Sequence, residues 1–265
     1  MTQEAIRIPS AGAIFWAEAD PGGSPVPRAI AGMPPAIQVT LAQGSIPADL
    51  RAIAAPAGLL LTGKPIRYDH TPTAADFAAT PAIPAFTVSG LAMPTDGRFH
   101  PRLFSLSPTP AAPSFVPLRP SLDGTRITEA GAVILNLTWV IGTSAPIPAS
   151  WAILQLSCQR NGASFGFSAQ ADINGDIIVP LTGLPPLTAP QTSDSMVFSA
   201  LGDPSVSNQP NPADPVYANP DMFKAVHISL GGAYAASQTI AVARGQISTL
   251  ASFTPAVPSF TLQPA

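Results

Sequence analysis

Hydrophobic positions cluster most clearly between residues 131 and 187. Three apolar runs, at 133–141, 151–156 and 177–181, are separated by turn-forming segments, which predicts strand, turn, strand, turn, strand. The Asn174-Gly175 dipeptide predicts the tight turn that closes the last hairpin, because both central positions of such a turn need positive φ. Upstream, Ala13-Ile14-Phe15-Trp16 is long enough for a strand, and Ala36-Ile37-Gln38-Val39-Thr40-Leu41 alternates as a half-buried strand does. Leu59-Leu60-Leu61 reads as a short buried run. Residues 83–106 read as a hairpin around Asp96-Gly97, with Phe86, Val88, Phe99 and Leu103 as its apolar positions. Downstream, 196–198, 223–230, 238–242 and 247–253 have strand character.

Helical signals are few. The best candidate is 46–53, with Ser45 as its cap, Pro47 in its first turn and Pro56-Ala57-Gly58 ending it. A second short turn of helix is expected at 74–79, capped by Thr73.

Proline punctuates this pattern. Turn signals stand at 20–25 and 33–35. Residues 107–121 carry prolines at 108, 110, 113, 117 and 120, which predicts a semi-rigid linker or an edge strand. The expected organisation is a β module at 1–106, the linker at 107–121, a second β module at 122–253 and an extended tail at 254–265. Residues 202–221, dense in Pro, Asn and Asp, read as one long surface loop, either a binding or packing arm or a tolerated insertion. A weak internal repeat is visible: 22–27 resembles 142–148, and Asp96-Gly97 with Phe99 and Leu103 resembles Asn174-Gly175 with Ile177 and Leu181. The spacings disagree, so duplication and chance likeness between proline-rich β sequences both stay open.

Composition changes the picture in two ways. Charged residues are only 10 % of the chain, against roughly 25 % in ordinary soluble domains, while 33 of 265 residues are proline. With 46 % hydrophobic residues and a mean hydropathy of +0.28, this is not the profile of a disordered chain. It fits an all-β protein whose sparsely charged surface is covered by neighbours. The net charge of −3 and twelve Lys plus Arg leave no nucleic-acid footprint. No apolar run approaches the roughly 18 residues of a membrane span. The start, MTQEAIRIPSAG, lacks the pattern of a secretory signal, so synthesis and retention in the cytoplasm are expected unless the protein leaves within something larger. Cys158 is the single cysteine, which excludes an intrachain disulfide and a thiolate metal site.

Candidate chemistry is thin. His70, His100 and His227 are not at metal-binding spacing; His70 follows Asp69, so an Asp–His pair is conceivable, but a surface polar residue is expected. His100 and His227 read as ordinary strand residues. Gly162-Ala163-Ser164-Phe165-Gly166 is a literal GxSxG string, and Asp203 or Asp214 and then His227 come after it in hydrolase order. The residues after Gly166 run into a hairpin, not a helix, so Ser164 is expected to be a turn residue. Asp172, Asn174 and Asp176 suggest a calcium loop, but counting from Asp172 places Gly183 where the twelfth-position glutamate belongs. A carboxylate pair from distant strands stays open as a glycosidase possibility. Trp139 and Trp151 are expected in the core rather than on a sugar-stacking platform. No catalytic, cofactor-binding or metal residue is assigned.

Residues 122–187 resemble the carboxypeptidase regulatory-like, or transthyretin-like, β-sandwich domain. The likeness rests on Pro146-Ile147-Pro148, on Trp151-Ala152-Ile153-Leu154-Gln155-Leu156, and on 171–181, ADINGDIIVPL. It covers about a quarter of the chain and departs from the family pattern at Asp176 and after Leu187. It implies an accessory, non-catalytic β-sandwich. The proline-rich Phe115-Val116-Pro117-Leu118-Arg119-Pro120 before it looks like the arrangement in tail-associated proteins of bacteriophages and contractile injection systems.

The expected protein is therefore all-β, with two antiparallel β-sandwich modules of immunoglobulin-like or transthyretin-like type. The expected function is a non-enzymatic structural role in a phage virion or phage-tail-like particle, without cofactor. Its expected partners are other structural proteins of the particle, in homo- or hetero-oligomers, with contacts made by arms at 1–12, 202–221 and 254–265. The alternative is a carbohydrate- or cell-surface-binding β-sandwich module.

Overall fold

The computed structural model describes residues 5–19, 28–30, 36–78, 83–185, 191–207, 215–243, 245–253 and 256–265. The fold is all-β, with a single five-residue α-helix among the described residues. The chain divides into two compact units. One comprises Met1–Ala17, Ala29–Thr95 and Pro101–Pro117; the other comprises Glu18–Arg28, Asp96–His100 and Leu118–Ala265.

In the first unit β1 (Ala5–Arg7) is followed by the long β2 (Ser10–Glu18), β3 (Arg28–Ala29), β4 (Ile37–Leu41), β5 (Leu50–Ala55), β6 (Gly58–Gly63) and β7 (Ile66–Tyr68). Helix α1 (Ala74–Ala78), β8 (Val88–Pro94), β9 (Arg102–Leu106) and β10 (Ser114–Leu118) complete it. The strand orders are β10-β2-β6-β5, with β3 also on β2; β4-β8-β9; and β1-β7. Alternation places Ile14, Trp16, Leu59, Leu61 and Phe104 inside. Trp16 and Phe104 meet edge-on at 6.1 Å, which joins β2 to β9.

The helix expected at 46–53 is a strand. Leu50–Ala55 pairs antiparallel with Gly58–Gly63, and Pro56-Ala57 turns the hairpin instead of ending a helix. Cross-strand hydrogen bonds override the local propensity of this alanine-rich stretch. Ser45 sits in the preceding turn, its N–H donating to the Ala42 carbonyl at 3.1 Å. The second expected helix is present: the Asp76 carboxylate accepts from the backbone N–H and the hydroxyl of Thr73, both at 2.7 Å. The expected hairpin at 83–106 is β8 on β9, but Asp96-Gly97 is not a two-residue turn, because the connection runs from 95 to 101. The proline-rich 107–121 holds β10, the edge-strand alternative. The turns expected at 20–25 and 33–35, and the 22–27 copy of the repeat, lie outside the described residues.

The second unit is built on β11 (Ala132–Trp139). It continues with β12 (Ile147–Pro148), β13 (Ile153–Arg160), β14 (Ala163–Gln170), β15 (Asp176–Pro180), β16 (Ser193–Gly202), β17 (Lys224–Ser229), β18 (Gln238–Ala243), β19 (Ile247–Ser248) and β20 (Phe260–Pro264). The main strand order is β12-β11-β20-β17-β16-β13-β14; β15 and β19 also pair with β11, and β18 with β16. Trp139, Phe198 and Phe260 are fully buried, and Phe198 packs on Phe253 and Phe260 at 5.8 and 6.1 Å. Burial of each such ring contributes roughly 1.5–3 kcal/mol. Gly202 makes room for Trp139, since a Cβ there would stand 2.9 Å from the indole.

Four expectations change here. Asn174-Gly175 does not close a hairpin between neighbouring strands: β15 leaves β14 and pairs with β11. The two-residue turn is Asn161-Gly162, with φ of 50° and 77°, between β13 and the strand Ala163–Gln170, a stretch expected to be a turn. The loop at 202–221 is not simply a surface arm: its described parts form short 3₁₀ turns that bury Val206, Tyr217 and Ala218, while 208–214 lie outside the described residues. The tail is not a free arm either. Its strand β20 lies between β11 and β17, with Phe260 and Leu262 in the core.

Candidate functional site

Most of the titratable groups singled out by the sequence are occupied by the fold. Ser164 lies on β14 opposite Gln159, whose side-chain amide donates to its hydroxyl. This is a strand, not the strand-to-helix elbow of a hydrolase. Asp203 caps a 3₁₀ turn, accepting from the Ser205 N–H at 2.8 Å, and His227 stands on β17 opposite Gln263. Asp214 lies outside the described residues. The Asp172 carboxylate accepts from the N–H groups of Asn174 and Asp176 at 2.8 and 2.9 Å, so it ties its own turn. Among the described residues no group of three or more His, Cys, Asp or Glu side chains is placed to hold a metal ion.

Two histidines have definite environments. His70 is exposed and bridges two carboxylates, Nδ1 to Asp69 at 2.9 Å and Nε2 to Asp76 at 3.2 Å. Hydrogen bonds to Asp69 and Asp76 raise its pKa, and bonds from Thr73 and His70 hold Asp76 at about 2. The sequence placed Asp69 beside His70; the second partner, Asp76, comes from the first turn of α1.

His100 is buried, contrary to its reading as an ordinary strand residue. Its N–H donates to the Arg119 carbonyl at 2.9 Å, which fixes the backbone. Its Nε2–H donates to the Gln170 carbonyl at 3.1 Å. Burial is the main cause that lowers its pKa to about 4, so the ring is neutral at pH 7. Trp151 lies edge-on to it and packs on Tyr217 at 5.2 Å. Trp151 has φ of 65°, a strained value for a non-glycine residue, and its backbone carbonyl accepts from the Gln170 amide at 3.1 Å. Its buried indole N–H has no partner among the described residues. His100, Trp151 and Tyr217 are each less than a tenth exposed, so the cluster is closed to solvent. A neutral histidine in a closed apolar setting holds segments together; it is not placed to exchange protons with a substrate.

The remaining feature is a surface. On the outward side of β2, β6 and β5, Phe15, Leu60 and Ile53 are 39 %, 42 % and 49 % exposed. Leu60 stands opposite both Ala13 and Ile53, and Phe15 touches Phe115 of β10 with ring centroids 6.2 Å apart. An apolar row thus crosses four strands. The sequence hid it, because Leu59-Leu60-Leu61 reads as a buried run whereas only Leu59 and Leu61 face inward.

No protein-family model, curated protein or solved structure matches this chain. All three tryptophans, Trp16, Trp139 and Trp151, are buried, so none presents a flat face for stacking on a sugar. The row across β10, β2, β6 and β5 is the candidate site.

Proposed function

We propose that the protein is a non-enzymatic structural component of a phage virion or phage-tail-like particle, and that it acts by packing against neighbouring subunits. The observation that carries this reading is the exposed apolar row Phe15, Leu60, Ile53, flanked by the half-buried Phe115, on a chain with only 10 % charged residues. Apolar surface gains roughly 25 cal/mol per Å² when covered, and a sparsely charged surface does little to keep a chain apart from its neighbours. The likeness of residues 122–187 to transthyretin-like accessory β-sandwiches and the proline-rich approach to them support the setting.

On this reading the contacts move from the arms to strand surfaces. Residues 260–264 and the described parts of 202–221 hold the second unit together, which leaves the face of β2, β5 and β6 to meet a neighbour. Co-purification tests the proposal. The chain should be recovered with tail or capsid proteins in a fixed copy number; recovery as a free protein from cells producing intact particles contradicts it.

A further inference from the structure

We propose that β5 is a self-recognition edge, where a second copy of the chain adds its own Leu50–Ala55 strand antiparallel to the first, with Ile53 facing Ile53 of the second copy. This inference rests on the packing function and names the partner. β5 ends its sheet: Leu50–Ala55 pairs with Gly58–Gly63 on one side, and among the described residues no strand pairs with its other side. A strand edge presents a row of N–H and C=O groups that another extended segment satisfies.

Natural edges are usually blocked by proline, lysine, a bulge or an inward charge. The opposite edge of the same sheet is blocked in this way, because β10 carries Pro117. β5 reads Leu-Arg-Ala-Ile-Ala-Ala, with an even register on β6 and a single charge, Arg51.

The register is set by parity and charge. Arg51, Ile53 and Ala55 share one face and Leu50, Ala52 and Ala54 the other, so facing positions in a continuous sheet must have the same parity. Centring the pair on Ile53 puts Arg51 opposite Ala55 of the second copy and separates the two Arg51 Cα atoms by about 13 Å along the strand. Centring it on Ala52 brings them to about 7 Å and places Arg51 against Ile53. Like charges close together on a sheet are destabilising, so the Ile53-centred register is preferred. In that register the apolar row continues without interruption from Phe15, Leu60 and Ile53 of one copy into Ile53, Leu60 and Phe15 of the other.

The test uses the full chain with single cysteines under mild oxidation, read on non-reducing gels. Cys158 is buried, and the parent chain is the control for it. Ile53→Cys should cross-link to a species of twice 27.1 kDa, because the facing Cα atoms fall within the roughly 7 Å a disulfide spans. Arg51→Cys and Ala55→Cys should not, being about 13 Å from their own copies. Equal cross-linking of all three, or none by Ile53→Cys, overturns the register. Ile53→Lys should weaken self-association at least about tenfold in sedimentation, with its circular dichroism unchanged because the position is half exposed. If the parent chain is oligomeric and Ile53→Lys leaves its mass unchanged, the β5 assignment is overturned and the packing function stands. If the parent is monomeric at every concentration, self-pairing is overturned. The packing function is then decided separately, by co-purification with particle proteins.

Discussion

The imidazole of His100 stands edge-on to the indole of Trp151, with ring centroids 5.6 Å apart and planes at 88°. The contact ties a short segment before β9 to the turn before β13, and both rings are buried. The pKa of His100 is lowered to about 4, first by burial and further by Arg119, against the raising effects of the Gln170 hydrogen bond and of Asp172. The unfolded histidine titrates near 6.5, so as pH falls the unfolded chain takes up the proton first. The contribution of a neutral His100 is intact above about pH 6.5 and is lost as pH falls towards 4, by about 3 kcal/mol over that window. His100→Phe should remove this part of the pH dependence. At pH 7 it should cost about 1–3 kcal/mol, because the Gln170 carbonyl loses its donor. Denaturant unfolding of both proteins at pH 7 and pH 4.5 checks it: the gap between them should narrow at the lower pH.

His70 behaves in the opposite sense. Its pKa is raised by Asp69 and Asp76, so its pairing is fully present below about 6.5 and fades as pH rises through the folded value. Asp76, held at about 2, keeps its own bonds until pH falls through that range. Nuclear magnetic resonance titration should place His70 above the model-peptide value. Asp76→Asn should bring it down towards that value, with no change in the His100 signal.

Two glycines with nearly equal φ should respond unequally to alanine. Gly162, at 77°, has open space around a new Cβ, so Gly162→Ala should cost only the strain of the left-handed conformation, about 1 kcal/mol. Gly175, at 80°, would place a Cβ 2.3 Å from the Leu137 carbonyl oxygen. The Leu137 N–H donates to the Gly175 carbonyl at 2.8 Å, so the backbone cannot shift without breaking that bond. Gly175→Ala should cost on the order of 3 kcal/mol, and thermal unfolding of the two variants compares them.

Arg160 and Asp194 form a buried ion pair, and Arg160 also donates to the Pro185 carbonyl at 2.6 Å. Asp194→Ala should destabilise by about 3–5 kcal/mol, because it leaves a buried guanidinium without its counter-charge. The double change Arg160→Met with Asp194→Leu should cost less than Asp194→Ala alone. A double-mutant cycle in denaturant measures the difference.

The strands were legible wherever alternation met a buried face. Ile37–Leu41, Val88–Pro94, Ala132–Trp139, Lys224–Ser229 and Gln238–Ala243 all lie close to where their patterns put them. Pairing was not legible. Asn161-Gly162 and Asn174-Gly175 are chemically the same signal, yet only the first closes a tight hairpin, because Asp176–Pro180 finds its partner in β11 rather than in the preceding strand. The 46–53 stretch has the composition of a helix and the partners of a strand, and cross-strand partners leave no trace in local composition. The last strand, Phe260–Pro264, was hidden by its flanking prolines, although Phe260 and Leu262 carry the two-residue period of a buried strand. Of the candidate surface, Phe15, Ile53 and Leu60 were visible as hydrophobic residues, but which of them face outward is decided by sheet pairing alone.

The central claim is that this chain works by contact with neighbouring subunits. Measuring the copy number of this chain in purified particles from producing cells tests it most directly. The expected result is recovery with tail or capsid proteins in a fixed copy number per particle. Recovery of the chain only as a free protein from cells producing intact particles would contradict it.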